Sequence, residues 1–170
     1  MSESDHTFIE CYLPPGHIHL GHEASLLWTV LGSCMAVSLW DNQKMWGGMC
    51  HFLYPFTADS RKATAQYGNV AVKCLVKMFL DGGAKGKNLR AQLFGGAQAS
   101  SANCSKIAKE NLQMARMILK SYHIATISED TGGYMGRKIV YNTQRNEAIV
   151  YKVNAIRRSD WYPYVHDDGQ

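Results

Sequence analysis

The sequence predicts an α+β fold: a single-domain layered α/β sandwich with two main helices on a mostly antiparallel or mixed sheet. Three observations carry this. Short apolar runs of strand character outnumber stretches of helical period by about seven to two. The two helical stretches are separated by single strands and do not alternate regularly with them, which argues against a doubly wound parallel sheet. With 46% hydrophobic and 19% charged residues in 170, the chain is an ordinary globular one, long enough to bury a core without staples.

Residues 7–13 read as the first strand, and Pro14-Pro15-Gly16 punctuates before a second at 24–30. A third runs over 35–40. Asp41-Asn42-Gln43-Lys44 then turns the chain into a strand at 45–54, which Pro55 closes. The period changes next: Val70, Cys74, Met78 and Phe79, with Ala71 and Leu75 beside them, form one face of a helix. That assigns Cys74 to the core. Asp81-Gly82-Gly83 stops this helix, with glycine where a C-cap takes left-handed backbone.

Residues 89–94 read as a strand running into Gly95-Gly96. Ile107, Asn111, Met114 and Ile118 step by four, three and four, marking a second helix to about Lys120 with Ser105 as its N-cap. Strands at 124–128 and 138–141 follow, then a turn at 143–146 and a last strand at 148–153. Residues 1–153 therefore make one domain, and 154–170 reads as a mobile tail.

Several function classes drop out. Lys and Arg exceed Asp and Glu by four, scattered apart from Arg157-Arg158, so no nucleic-acid partner is expected. No apolar run approaches the roughly 18 residues of a membrane span, so no membrane insertion is expected. The first twenty residues carry Glu3, Asp5 and Glu10 and lack an apolar signal core. Five cysteines, an odd number without framework spacing, fit free thiols in a reducing compartment, and the chain reads as cytoplasmic.

The chemistry lies in Thr29-Val30-Leu31-Gly32-Ser33-Cys34 and, seventeen residues after the cysteine, His51 in Gly47-Gly48-Met49-Cys50-His51-Phe52. With Asn42 and Gln43 as the hairpin loop, Asp41 pairs with Lys44 and Cys34 falls directly opposite His51, Cβ atoms about 4.5–5.5 Å apart. An imidazole there can take the thiol proton and activate a cysteine nucleophile. Gly32 and Ser33 permit a tight approach that leaves backbone N–H groups free for an oxyanion. Gly47 and Gly48 keep bulk away from the histidine, and the Thr29 hydroxyl is a candidate to orient it.

Rival chemistries are weaker. Cys50 alternates with His51 and should point to the opposite face, and no second close-spaced ligand pair exists, so no metal is assigned. His17, His19 and His22 sit in a Pro/Gly-flanked polar segment and read as exposed loop or edge residues. Cys11 and Cys104 have no motif around them. Gly95-Gly96 and Gly132-Gly133 lack the remaining residues of a phosphate loop.

Four stretches in order resemble the chemoreceptor glutamine deamidase family, CheD. They are Leu31-Gly32-Ser33-Cys34-Met35-Ala36-Val37, Gly47-Gly48-Met49-Cys50-His51-Phe52, Leu93-Phe94-Gly95-Gly96-Ala97, and Glu129-Asp130-Thr131-Gly132-Gly133 with Gly136-Arg137-Lys138. The resemblance implies Cys34 as nucleophile, His51 as general base and acid, and Thr29 as the hydroxyl-bearing third member. It also implies a three-layer α/β/α-like sandwich related to glutamine-deamidating toxin domains, with no cofactor. The implied substrates are glutamine side chains on the cytoplasmic helical domain of methyl-accepting chemotaxis proteins, and a CheC-type phosphatase is an implied partner. Departures at Gln98-Ala99-Ser100 and at 107–111 keep open an adaptor with little activity, and an amidase or peptidase acting on other substrates is a third reading.

Overall fold

The computed structural model describes residues 7–98 and 101–156. Nine strands and two helices follow in the order β1 (Ile9–Tyr12), β2 (His17–Gly21), β3 (Ser25–Leu31), β4 (Met35–Asp41), β5 (Trp46–Phe52), α1 (Gly68–Asp81), β6 (Leu89–Gly95), α2 (Ala102–Ser121), β7 (Ala125–Thr131), β8 (Gly136–Asn142) and β9 (Glu147–Val153). The strands form two mixed sheets, β1-β3-β8-β9 and β2-β5-β4-β6-β7. Among the strands of the described residues, the β1–β3 and β6–β7 pairings are parallel and the others antiparallel.

Both helices pack on one face of the five-stranded sheet, and its other face meets the four-stranded sheet. The layers therefore run helices, sheet, sheet: the second sheet stands where the implied α/β/α arrangement would put more helix. Every residue of β5 is buried, as expected for a strand covered on both faces. Along it the side chains alternate. Cys50 and Phe52 join the core under the helices, whereas Met49 faces the second sheet beside Leu27, Leu31, Phe94 and Ile139. Each such fully buried side chain contributes on the order of 1.5–3 kcal/mol of transfer free energy.

Four local expectations need correction. The hairpin loop spans 42–45, not two residues: Asp41 Oδ1 accepts from the N–H groups of Gln43 (2.8 Å) and Lys44 (3.1 Å), and Met45 takes φ +57°. Asp41 therefore pairs with Trp46, and Ala36, not Cys34, lies opposite His51. On α1 the buried stripe is Ala71, Val72, Leu75, Val76 and Phe79, so Cys74 and Met78 face solvent. Val72 and Val76 draw the helix round by one position, because the 71/72/75/76/79 set covers a wider apolar arc than 70/74/78.

The N-cap of α2 is Ser101, whose hydroxyl accepts from Cys104 N–H at 3.2 Å, one turn before Ser105. The His17–Gly21 segment is a strand, β2, at the edge of the five-stranded sheet, where its backbone completes pairing along β5. As to the expected tail, the Ile156 side chain lies against Gly136 and Gly32, while 157–170 is outside the described residues.

Candidate active site

β3 ends at Leu31, and the chain turns through Gly32, Ser33 and Cys34 before β4 begins. β5 returns alongside β4 and brings His51 to the same end of the sheet. Thr29 belongs to the other sheet. It stands two residues from Leu27 and from Leu31 and so shares their face, which projects its side chain into the layer between the sheets. Leu13, just beyond β1, is held beside β3 by its N–H on Trp28 O at 2.9 Å. The imidazole is thus gripped from both sheets.

The contacts are short. His51 Nε2 lies 3.1 Å from Cys34 Sγ, and Nδ1 lies 3.0 Å from Thr29 Oγ1 and 3.1 Å from Leu13 O. Thr29 Oγ1 also donates to Leu13 O at 2.7 Å. Proton counting fixes the tautomer. The threonine has one hydroxyl proton, and it goes to Leu13 O, a pure acceptor. Nδ1 must then carry a proton, shared between Leu13 O and Thr29 Oγ1. In the neutral ring Nε2 is left as a bare acceptor aimed at the thiol, which is the arrangement a general base requires.

Burial sets the charge state. His51 is fully buried and Cys34 is 3% exposed. Desolvation pushes the thiol up to about 11, although N–H groups of Gly32 and Cys34 that favour the thiolate partly oppose it. Desolvation also pulls His51 down to about 4, against the Leu13 carbonyl that favours its protonation. Both directions favour a neutral thiol and imidazole at rest.

The nucleophile loop is tied by all three of its carbonyls. Gly96 N–H donates to Cys34 O (2.9 Å), Ala97 N–H to Gly32 O (2.9 Å), and Asn111 Nδ2 to Ser33 O (3.1 Å). Gly95 sits at φ +107°, and a Cβ there would lie 2.3 Å from Cys34 O, so only glycine allows this approach. A second loop braces the first: Gly132 N–H donates to Gly95 O and Gln98 N–H to Gly133 O. Arg137, buried to 3% exposure, holds that loop through Asp130 Oδ1 (3.0 Å), Gly132 O (2.8 Å) and Met135 O (2.9 Å). The motifs at 93–97 and 129–138 therefore converge on the back of the cysteine loop.

Other singled-out residues lie elsewhere. Gly47 and Gly48 are four and three residues from His51, roughly 10 Å or more along the strand. They serve packing: a Cβ on Gly48 would meet His19 O at 2.5 Å, and one on Gly47 the Tyr141 hydroxyl at 2.7 Å. They do not clear space for the histidine. His17 and His19 lie on edge strand β2, and His22 stacks on Trp46 (4.4 Å between centroids). Gly32 and Ser33 floor a cleft of about 570 Å³ walled by Gln98, Tyr134 and Ile156.

Two participants were given no role at the site by the sequence. Leu13 acts through its carbonyl, which leaves no trace in residue type. Asn111 did leave one: it is a polar residue on the apolar stripe of α2, fully buried, with Nδ2 also donating to Leu53 O at 3.0 Å.

Comparison with known proteins agrees with the motifs. The family model described as CheD chemotactic sensory transduction matches residues 55–152. A protein of Trichlorobacter lovleyi named "Probable chemoreceptor glutamine deamidase CheD" is 42% identical over 154 residues, covering 88% of this chain and 95% of its own. Relatives with that family name from Anaeromyxobacter dehalogenans (37% over 143 residues, 83% of each chain) and Sulfurimonas denitrificans (34% over 131 residues, 75% of this chain and 84% of its own) are also similar. The family match begins after His51. The first of these alignments leaves only about twenty residues of this chain uncovered, so it spans Cys34 and His51.

Proposed function

The chain belongs to the CheD family, and on that premise we propose that it is a cysteine hydrolase that deamidates glutamine side chains of methyl-accepting chemotaxis receptors to glutamate. The names of its relatives supply the reaction class, a chemoreceptor glutamine deamidase. The observation that carries the mechanism is His51 Nε2 at 3.1 Å from Cys34 Sγ while Nδ1 lies 3.1 Å from the Leu13 carbonyl, contacts that leave Nε2 to accept the thiol proton.

In the proposed sequence Nε2 takes the thiol proton as Sγ attacks the glutamine Cδ. The carbonyl electron pair moves to oxygen, held by backbone N–H groups near Ser33 and Cys34. The intermediate collapses when Nε2–H protonates the departing nitrogen, releasing ammonia and leaving a thioester. Water then gives a proton to Nε2 and attacks the thioester carbon. Collapse expels Sγ, which regains that proton, and glutamate is released. Thr29 and Leu13 O hold the Nδ1–H throughout. No metal or organic cofactor enters any step.

The substrate in this reading is the cytoplasmic helical domain of the receptor, which places the enzyme in the cytoplasm. No helix of the described residues is long and apolar enough to cross a membrane. A second reading, an adaptor for a CheC-type phosphatase or for the receptor with little activity, draws on the burial of Cys34 at 3% exposure. Intact-mass analysis of a receptor cytoplasmic domain decides between them. Wild type should add about one dalton per modified site, as NH₂ is replaced by OH, and Cys34→Ala and His51→Ala should add none. No mass gain with wild type would overturn the enzymatic reading and favour the adaptor.

A further inference from the structure

The last paired residues of the β4–β5 ladder are Met35 and Phe52; the next pair along that register, Cys34 and Leu53, is not formed. Asn111 stands in for the missing rung. From the middle of α2 its single NH₂ group donates to Ser33 O at 3.1 Å and to Leu53 O at 3.0 Å. It thereby joins the residue before the nucleophile to a residue two past the histidine. The side chain is fully buried, and its Oδ1 has no hydrogen-bond partner among the described residues. A residue present only to fill space would not bring a buried, unsatisfied oxygen with it.

The Ser33 carbonyl and the Cys34 N–H belong to one planar trans peptide and point in opposite directions. Whatever fixes that carbonyl also aims that N–H. With Gly32 O and Cys34 O tied to Ala97 and Gly96, Asn111 completes a set of three bonds that turns the carbonyls of this loop to its back. The Cys34 N–H, opposed to the Ser33 carbonyl, is thereby turned away from α2 and toward the thiol, whose ionised form it favours.

We propose that Asn111 is a positioning residue for the oxyanion: it acts through the Ser33–Cys34 peptide to hold the Cys34 N–H on the oxygen of the tetrahedral intermediate. The inference rests on the deamidase reading and adds a residue to it. It separates two properties of the site. Attack by Sγ on iodoacetamide displaces iodide and develops no oxyanion, so it reports the thiol alone, whereas deamidation needs both thiol and oxyanion donor.

Asn111→Ala, which leaves room for water between the two carbonyls, and the near-isosteric Asn111→Asp are compared with wild type on a receptor cytoplasmic domain. Site-resolved iodoacetamide labelling of Cys34 is measured in parallel, and folding is checked by thermal unfolding. The expected result is a kcat lowered about 10- to 100-fold, KM within about twofold, and Cys34 labelling lowered by a clearly smaller factor than kcat, because the Cys34 N–H is only one of the groups that support the thiolate. A folded variant with kcat within about twofold of wild type would overturn the inference. So would kcat and labelling falling by the same factor, or failure of both variants to fold, which would make Asn111 a core residue only. Wild type without turnover would overturn the deamidase reading itself, a different outcome from active wild type with unaffected variants.

Discussion

The resting protonation of the Cys34–His51 pair can be measured directly, and the geometry commits to one answer. With burial holding Cys34 up near 11 and His51 down near 4, thiol and imidazole are both almost wholly un-ionised at pH 7. Nitrogen NMR of His51 should show one protonated and one bare nitrogen at neutral pH, the bare one being Nε2. Its titration should have a midpoint near 4, well below the ordinary 6.5. The ultraviolet thiolate band, taken as wild type minus Cys34→Ala, should be absent at pH 7 and emerge only in strongly alkaline solution. The same shift carries a stability term. The folded state binds a proton at His51 less readily than the unfolded chain, so the stabilisation is complete above pH 6.5 and is lost as pH falls toward 4. Over that window it amounts to about 3 kcal/mol, read from the urea midpoint and absent in a His51→Leu variant. A doubly protonated His51 at pH 7 that loses its proton in Cys34→Ala would refute the reasoning, because it would show a preformed thiolate–imidazolium pair.

Two further predictions concern the supports of the pair. Thr29→Val removes one of the two acceptors on Nδ1–H but leaves Leu13 O, so the tautomer survives; about 1 kcal/mol of orientation should be lost, lowering kcat about fivefold, with Thr29→Ser near wild type. A fall as deep as that of His51→Ala would mean that the carbonyl alone cannot hold the ring. Gly95→Ala must relieve both φ +107° and a Cβ 2.3 Å from Cys34 O; it should cost at least about 1–3 kcal/mol in thermal unfolding and lower turnover by moving the nucleophile loop, and a variant matching wild type in both would contradict that packing.

The sequence by itself determined the class of fold, both helices, most of the strands and the residues that could react. Period and punctuation are local properties, and strand alternation alone sent Cys50 away from His51. The hairpin shows how far local reasoning reaches. Its loop proved two residues longer because the Asp41 carboxylate wraps the following N–H groups, so the pairing of Cys34 with His51 shifted. The shift was by an even number, so the two stayed on one face and meet at 3.1 Å through a diagonal contact.

Only the tertiary structure decided the rest. The division of the strands into two sheets depends on which edges meet, and runs of residue types do not encode that. The proton on Nδ1 is set by Leu13 O and Thr29 across the sheet interface, the ionisation of the pair by burial from both layers, and the aim of the Cys34 loop by Gly95, Gly96, Ala97 and Asn111. These are consequences of backbone atoms and of long-range approach. A sequence specifies which side chains are available, but the direction of a carbonyl, or the dielectric around a thiol, exists only once distant segments have packed together.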